Sequence, residues 1–197
     1  MAEQGKTCCA LRKPGDPVFP IPSAPGYPKL RAGTQLDAIY ERFLAKGRGF
    51  GRPGCPGGLP RVVVAFDLQC PWCHRFWETA KVLEREIDFR WYPVCVTKDV
   101  STAQAAAVLA AADPYALASE SEDLFNDPDF RGIDPKEHPV TQEERDTAWE
   151  NSRIFRKSGG TSVPLGIYRT PDGRYIPLFG DMTAEEIRKA IGLGKAA

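Results

Sequence analysis

Two cysteines three residues apart, Cys70 and Cys73, separated by Pro71 and Trp72 and followed by His74, are where chemistry enters this chain. Thiols one helical turn apart can close a disulfide and reopen it by exchange with another thiol. Pro71 suits a first helical position, where its missing N–H costs no hydrogen bond, and this leaves Cys70 as the N-cap. There a thiol meets unpaired N–H groups and the positive end of the helix dipole, both of which favour thiolate. Such settings bring a cysteine from about 8.5 down to roughly 3.5–7.5. Cys70 is therefore the candidate nucleophile and Cys73, one turn inside, the resolving thiol.

Other chemistries fit parts of the pattern. An inert pair of core cysteines would have no reason to follow a strand and open a helix. Cys70-Pro-Trp-Cys73-His74 also spells the attachment signature of a c-type haem, with His74 as iron ligand; the distal candidates for such a site, Met182 and His138, are remote in sequence. Zinc would need four ligands, and there is no second Cys-x-x-Cys and no His-x-x-x-His. The expectation is a redox pair with no metal and no cofactor, with His74 a solvated helix residue that adds positive charge near the thiols.

The elements around the pair are legible. Val62 to Phe66 is a continuous apolar run rich in valine, as in a strand buried on both faces, and Asp67 and Gln69 mark its exit. Phe76, Ala80, Leu83 and Ile87 then recur at helical spacing. Phe89 to Val96 is a second strand, with Pro93 near its end, completing a β-α-β unit. The chain turns helical over Thr102–Ala112, from Asp113-Pro114 towards Phe125, and from the capping box Thr141–Glu144 through Ile154. Asn126 to Pro139 is a loop. Val163 to Arg169 and Tyr175 to Phe179 flank a Pro-Asp-Gly turn and form a hairpin, and Thr183 to Glu186 caps a last helix carrying Ile187 and Ile191.

Upstream, six prolines in the first thirty residues rule out regular helix and make an extended arm that holds Cys8 and Cys9. A helix follows over Gln35–Lys46, then a Gly-rich loop containing Cys55, for which a second disulfide or an auxiliary redox role is open. Cys95 reads as a core residue, although pairing with Cys55 is also open. The arm spans residues 1–33, and residues 34–197 form one domain with a helical insert at about 98–158.

Lys plus Arg and Asp plus Glu both number 26, a balance that argues against a general nucleic-acid binder. No apolar run is long enough to span a bilayer, and the arm lacks the apolar region of a signal peptide.

Order and motif together resemble a known family. β-α-β, a helical insert and β-β-α, with Cys-x-x-Cys opening the first helix and Val163-Pro164 starting the third core strand, looks like the thioredoxin fold, an α/β class. Phe66-Asp67-Leu-Gln-Cys70-Pro-Trp-Cys73-His74-Arg-Phe-Trp77 is similar to the catalytic domains of the DsbC and DsbG disulfide isomerases. The Ala-rich helix and Gly159-Gly-Thr-Ser-Val-Pro164 match as well, so the likeness runs over roughly residues 35–193.

The resemblance implies thiol–disulfide exchange on protein cysteines, of isomerase or reductase type, with a redox partner protein. It implies a cis Val163–Pro164 bond beside the thiols and a substrate-binding rim of Val163, Pro164, Trp72 and Ser162. His74 and Asp67 are modulators of the pair, Asp67 as a loop cap. A Pro-rich arm stands where the isomerases carry a dimerisation domain, so the expected assembly is a monomer or weak dimer. The family's compartment, the periplasm, is the expected location, with the cytoplasm the alternative. The residue before the proline is Val163, as in DsbA oxidases, where the isomerases usually carry threonine. Pro71-Trp72 places no second positive charge between the thiols, so less oxidising power is expected than from a Cys-Pro-His-Cys site. A redox-silent binding module on the same fold is the remaining alternative.

Overall fold

The computed structural model describes residues 30–96, 99–129 and 132–194. Cys8, Cys9 and most of the Pro-rich arm lie outside the described residues. Residues 30–35, at the arm's end, are tied to the body: Thr34 Oγ1 donates to the Gly159 carbonyl (3.0 Å) and the Gln35 N–H to the Ser158 carbonyl (2.9 Å).

The valine-rich run becomes β1 (Arg61–Phe66), every residue of which is buried except Arg61. It lies inside a sheet of order β2-β1-β3-β4, with β2 (Asp88–Pro93) parallel to it and β3 (Leu165–Arg169) antiparallel; β4 (Tyr175–Phe179) pairs with β3 at the edge. A strand with neighbours on both sides and helices on both faces has no solvated face, which is why its apolar residues are continuous. Pro177, which has no N–H to give, sits in the edge strand, where a proline is tolerated.

Helices cover the two faces. On one, α1 (Leu36–Lys46) stacks Phe43 on Tyr92 of β2, with ring centres 4.5 Å apart. On the other, α2 (Pro71–Leu83) packs Trp77 on Trp91 at 4.5 Å and Phe76 edge-on to Phe89. Neighbouring residues of β2 thus point to opposite faces, as the pleat requires. The helix after the motif stops at Leu83, four residues short of Ile87, which instead lies buried in the turn before β2 with its N–H on the Leu83 carbonyl. The Gly-rich segment after α1 is mostly loop, but Phe50 exchanges two backbone hydrogen bonds with Trp91 and so extends the sheet locally at the β2 edge.

Between β2 and β3 run α3 (Asp99–Ala110), α4 (Pro114–Asp123) and α5 (Gln142–Lys157). Asp113 caps α4 through the Ala116 N–H, and the capping box Thr141–Glu144 opens α5. Helix α6 (Ala184–Ala190) begins with the same device, Thr183–Glu186, and buries Ile187. No helix among the described residues is long and apolar enough to cross a membrane.

Candidate active site

The thiol pair lies where β1 hands over to α2. The chain leaves Phe66 through a turn closed by the Cys70 N–H on the Asp67 carbonyl (3.0 Å), and Cys70, in extended conformation, becomes the N-cap with Pro71 at the first helical position. Its carbonyl accepts the N–H groups of Cys73 (2.9 Å) and His74 (3.0 Å). Its Sγ points across to β3's entry and donates to the Val163 carbonyl at 3.6 Å; the Val163–Pro164 bond is cis. Both cysteines are free thiols here.

The two thiols differ in surroundings. Cys73 is completely enclosed, and burial pushes its pKa well above that of an ordinary thiol; a hydrogen bond with Cys70 and the charge on Cys70 push the same way. The Asp67 N–H, donated to Cys73 Sγ at 3.3 Å, offsets part of this. Of the pair, Cys70 is thus the sulfur placed to carry negative charge.

Trp72 and Ser162 are half-buried and Val163 is buried. Gly180 joins the rim: a Cβ there would lie 2.9 Å from the Trp72 carbonyl oxygen and 3.0 Å from Pro164 Cγ, so only a glycine lets the end of β4 pass between them. The Arg75 guanidinium lies over the Trp72 ring, 5.6 Å from its centre. Leu30, Thr34, Gly160, Ser162, Pro164 and Phe179 line a small recess behind this rim.

His74 and Asp67, the expected modulators, are more deeply placed than their sequence context suggests. His74 is buried rather than solvated: Nδ1 lies 3.0 Å from Glu122 Oε2, Nε2 lies 3.2 Å from Asn126 Nδ2, and the ring stacks on Phe125 at 4.7 Å. The reason is α4, which lies against this side of α2. With both ring nitrogens engaged by side chains, the imidazole has none directed at an iron, and the site does not fit an attached haem. Asp67 does cap its loop, accepting the Gln69 N–H (3.0 Å), but it is also a buried acid that accepts the Val96 N–H (3.2 Å) and the Ser101 hydroxyl. Burial first, and then the charge on Cys70, raise it to about 7.

Sequence reasoning missed the partners of these groups. Asp67, Gln69 and His74 flank the cysteines, and each is met by a buried side chain from the helical stretch: Ser101, Gln104 and Glu122. Gln69 Nε2 donates to Gln104 Oε1 (2.7 Å), whose own amide donates to the Ile133 carbonyl (3.0 Å). The signal in the sequence was faint: Glu122 falls four residues after Ala118, on the one buried stripe of α4. Among the described residues, the other two cysteines, Cys55 and Cys95, are separate thiols. Cys95 is buried, its N–H held by Ser152 and its thiol raised to about 11 chiefly by burial, whereas Cys55 is half-exposed in the loop after α1.

No family model matches the chain. The thiol:disulfide interchange protein DsbG of Pseudomonas aeruginosa is 25% identical over 136 residues, covering 68% of this chain and 52% of DsbG; the chain spans about half the length of that curated relative. Among solved structures, the catalytic domain of Proteus mirabilis ScsC superposes with a TM-score of 0.60 at 17% identity, over 80% of this chain and 97% of that one. A periplasmic thioredoxin-like protein from Salmonella enterica serovar Typhimurium gives 0.60 at 16%, over 79% and 94%. Helicobacter pylori DsbG gives 0.51 at 15%, over 68% and 60%. The chain has the thioredoxin-like fold of these structures and is similar in sequence to DsbG.

Proposed function

We propose that this chain is a thiol:disulfide oxidoreductase that acts on protein cysteines through Cys70 and Cys73, as a reductase or isomerase. The observation that carries the reading is the placing of the Cys70 sulfur at the start of α2, 3.6 Å from the Val163 carbonyl, with a fully enclosed Cys73 one turn behind. As a thiolate, Cys70 attacks one sulfur of a substrate disulfide and expels the other, forming a mixed disulfide. Cys73 then loses its proton and attacks Cys70, closing the Cys70–Cys73 disulfide and releasing the substrate as a dithiol. Two electrons pass to the substrate, and a partner dithiol restores the pair.

A substrate strand laid along the Val163 backbone would present its sulfur to Cys70 by main-chain contacts that ignore substrate sequence. Trp72 and Ser162 would flank its path. Asp67, its carboxyl raised to about 7, is suited to take the Cys73 proton in the resolving step. A periplasmic location is supported by the Salmonella neighbour, described as periplasmic.

Insulin reduction with glutathione as electron donor tests the reading. The native chain should be active, Cys70→Ser inactive, and Cys73→Ser should accumulate mixed disulfides with substrate. Iodoacetamide labelling of Cys73 ahead of Cys70 at neutral pH would reverse the assignment of roles.

A further inference from the structure

Glu122 is the buried carboxylate for which resolution of the mixed disulfide has no use. It is 1% exposed, delivered by α4 to the side of α2 that carries the thiols. Oε2 is engaged by His74 Nδ1, while Oε1 is sealed from solvent with no hydrogen-bond partner. The Asn126 amide nitrogen can only donate, so Nε2 of His74 is an acceptor and the ring proton sits on Nδ1, given to Glu122. His74, through this hydrogen bond and its charge, pulls the Glu122 proton affinity down, but Oε1 has no donor at all. Keeping a buried carboxylate ionised in such a place is costly, and taking up a proton relieves it.

This site is connected to the thiols. His74 follows Cys73 directly, its N–H lies on the Cys70 carbonyl, and the charge of Cys70 acts on Glu122 in the same direction as burial, which raises Glu122 to about 7. The other charges around it do not neutralise it. Glu78 on α2 adds to the upward push; Asp123, next along α4, is paired with Lys81 of α2; Arg75 reaches the Asp181 carbonyl; and Asp67, across the motif, is a second acid.

Resting on the reading of Cys70 and Cys73 as a redox pair, we propose that the His74–Glu122 pair is its proton store. When an incoming dithiol reduces the Cys70–Cys73 disulfide, its two electrons go to the two sulfurs and it leaves as a disulfide. One of its protons ends on Cys73, Cys70 keeps the negative charge, and the second proton stays inside the protein on Oε1 of Glu122. On reoxidation the store releases it. The helical stretch would thereby make the reducing power of the pair follow pH more steeply than the thiols alone dictate.

The test is the equilibrium of the pair with reduced and oxidised glutathione between about pH 6 and 8, for the native chain and Glu122→Gln. Without the store, reduction releases a proton to solvent. The ratio of the E122Q constant to the native constant for reduction should therefore rise with pH, by up to tenfold per unit, or about 30 mV. A ratio constant across that range overturns the proposal. Infrared difference spectra of the native chain, reduced minus oxidised, supply a readout independent of how the variant folds. Reduction should bring up a protonated-carboxyl band that shifts with isotopically labelled glutamate and survives Asp67→Asn. A band that ignores the label and vanishes in D67N overturns it in favour of Asp67. If glutathione closes no Cys70–Cys73 disulfide, the proposed function fails with it; if the disulfide forms and E122Q titrates in parallel with the native chain, only the store fails.

Discussion

The sheet with α2 and the helical stretch from α3 to α5 bury different kinds of side chain. Around β1 the interior is valine, phenylalanine and tryptophan, and its energetics are those of apolar area removed from water. The stretch also contributes apolar residues, but it sends Ser101, Gln104, Ser121, Glu122, Asn151 and Ser152 into the interior. Most of these end on the motif or on the exit of β2. The first region places two sulfurs, and the second surrounds them with hydrogen bonds and a buried charge. In this chain the sheet places the thiols, and the helical stretch supplies the polar side chains that meet the residues flanking them.

The largest effect that would break this division is a pH dependence of stability. Asp67 and Glu122, one from each region, are both raised to about 7 from their ordinary carboxylate values of 3.8 and 4.5. Between the unfolded and folded values the native state holds more protons than the unfolded chain, so stability falls as pH rises through that window. For the reduced protein, urea unfolding should show stability declining from about pH 4 to 7 with a slope approaching two protons, on the order of 3 kcal/mol per carboxyl in all. Asp67→Asn and Glu122→Gln should each remove about one proton from the slope. A flat profile in the native chain would mean that neither acid is held neutral.

Asn151 sharpens the comparison from the other side. Completely buried on α5, it donates to the carbonyls of Arg48 (2.8 Å) and Pro93 (3.0 Å) and accepts the Arg48 N–H (3.0 Å), tying the loop after α1 to the exit of β2. Asn151→Ala leaves those backbone groups unpaired and should cost about 3 kcal/mol. A loss below about 1 kcal/mol, the scale of one net hydrogen bond, would show that the clamp is replaceable by water.

What the sequence disclosed follows the same division. Period and punctuation are local, so the apolar run 62–66, the Cys70–Pro71 helix start, both capping boxes and the Pro-Asp-Gly hairpin could be read directly and lie where expected. The burial of His74 could not be read, because it depends on Glu122 arriving from 48 residues away. Gln69 with Gln104, and Asn151 with the Pro93 carbonyl, are likewise long-range polar pairs with nothing in their own neighbourhoods to mark them as buried. Asp67 was visible as a loop cap; its second role depends on α3 covering it.

Gly132 gives a middle-sized test of how tightly the helical stretch is seated. It holds φ +90, a conformation L residues rarely adopt, and a Cβ there would overlap the side-chain nitrogens of Gln69 and Gln104. Gly132→Ala should therefore cost about 2 kcal/mol in backbone strain and displaced glutamines. Because Gln69 immediately precedes Cys70, insulin reduction should fall with it. Unchanged activity at full folding would uncouple the glutamine pair from the thiols.

The smallest expected effect compares the same device in both regions. Thr141 and Thr183 each accept the N–H three residues on, while Glu144 and Glu186 reach back to the threonine N–H. Replacing either threonine by alanine removes one cap and should cost about 1 kcal/mol. The consequences should differ in place. Helix α5 is 16 residues long and buries Ala148, Asn151, Ser152, Ile154 and Phe155 beyond its first turn, so Thr141→Ala should fray only the start and leave the Asn151 clamp protected in hydrogen exchange. Helix α6 has 7 residues and buries Ile187 alone, so its cap is a large share of what holds it. Thr183→Ala should speed exchange along the whole of α6 while the amides of α2 keep their protection. If Thr141→Ala instead opens α5 as far as Asn151, the helical stretch is the less stable of the two regions, and the partners of Asp67, Gln69 and His74 leave the site together.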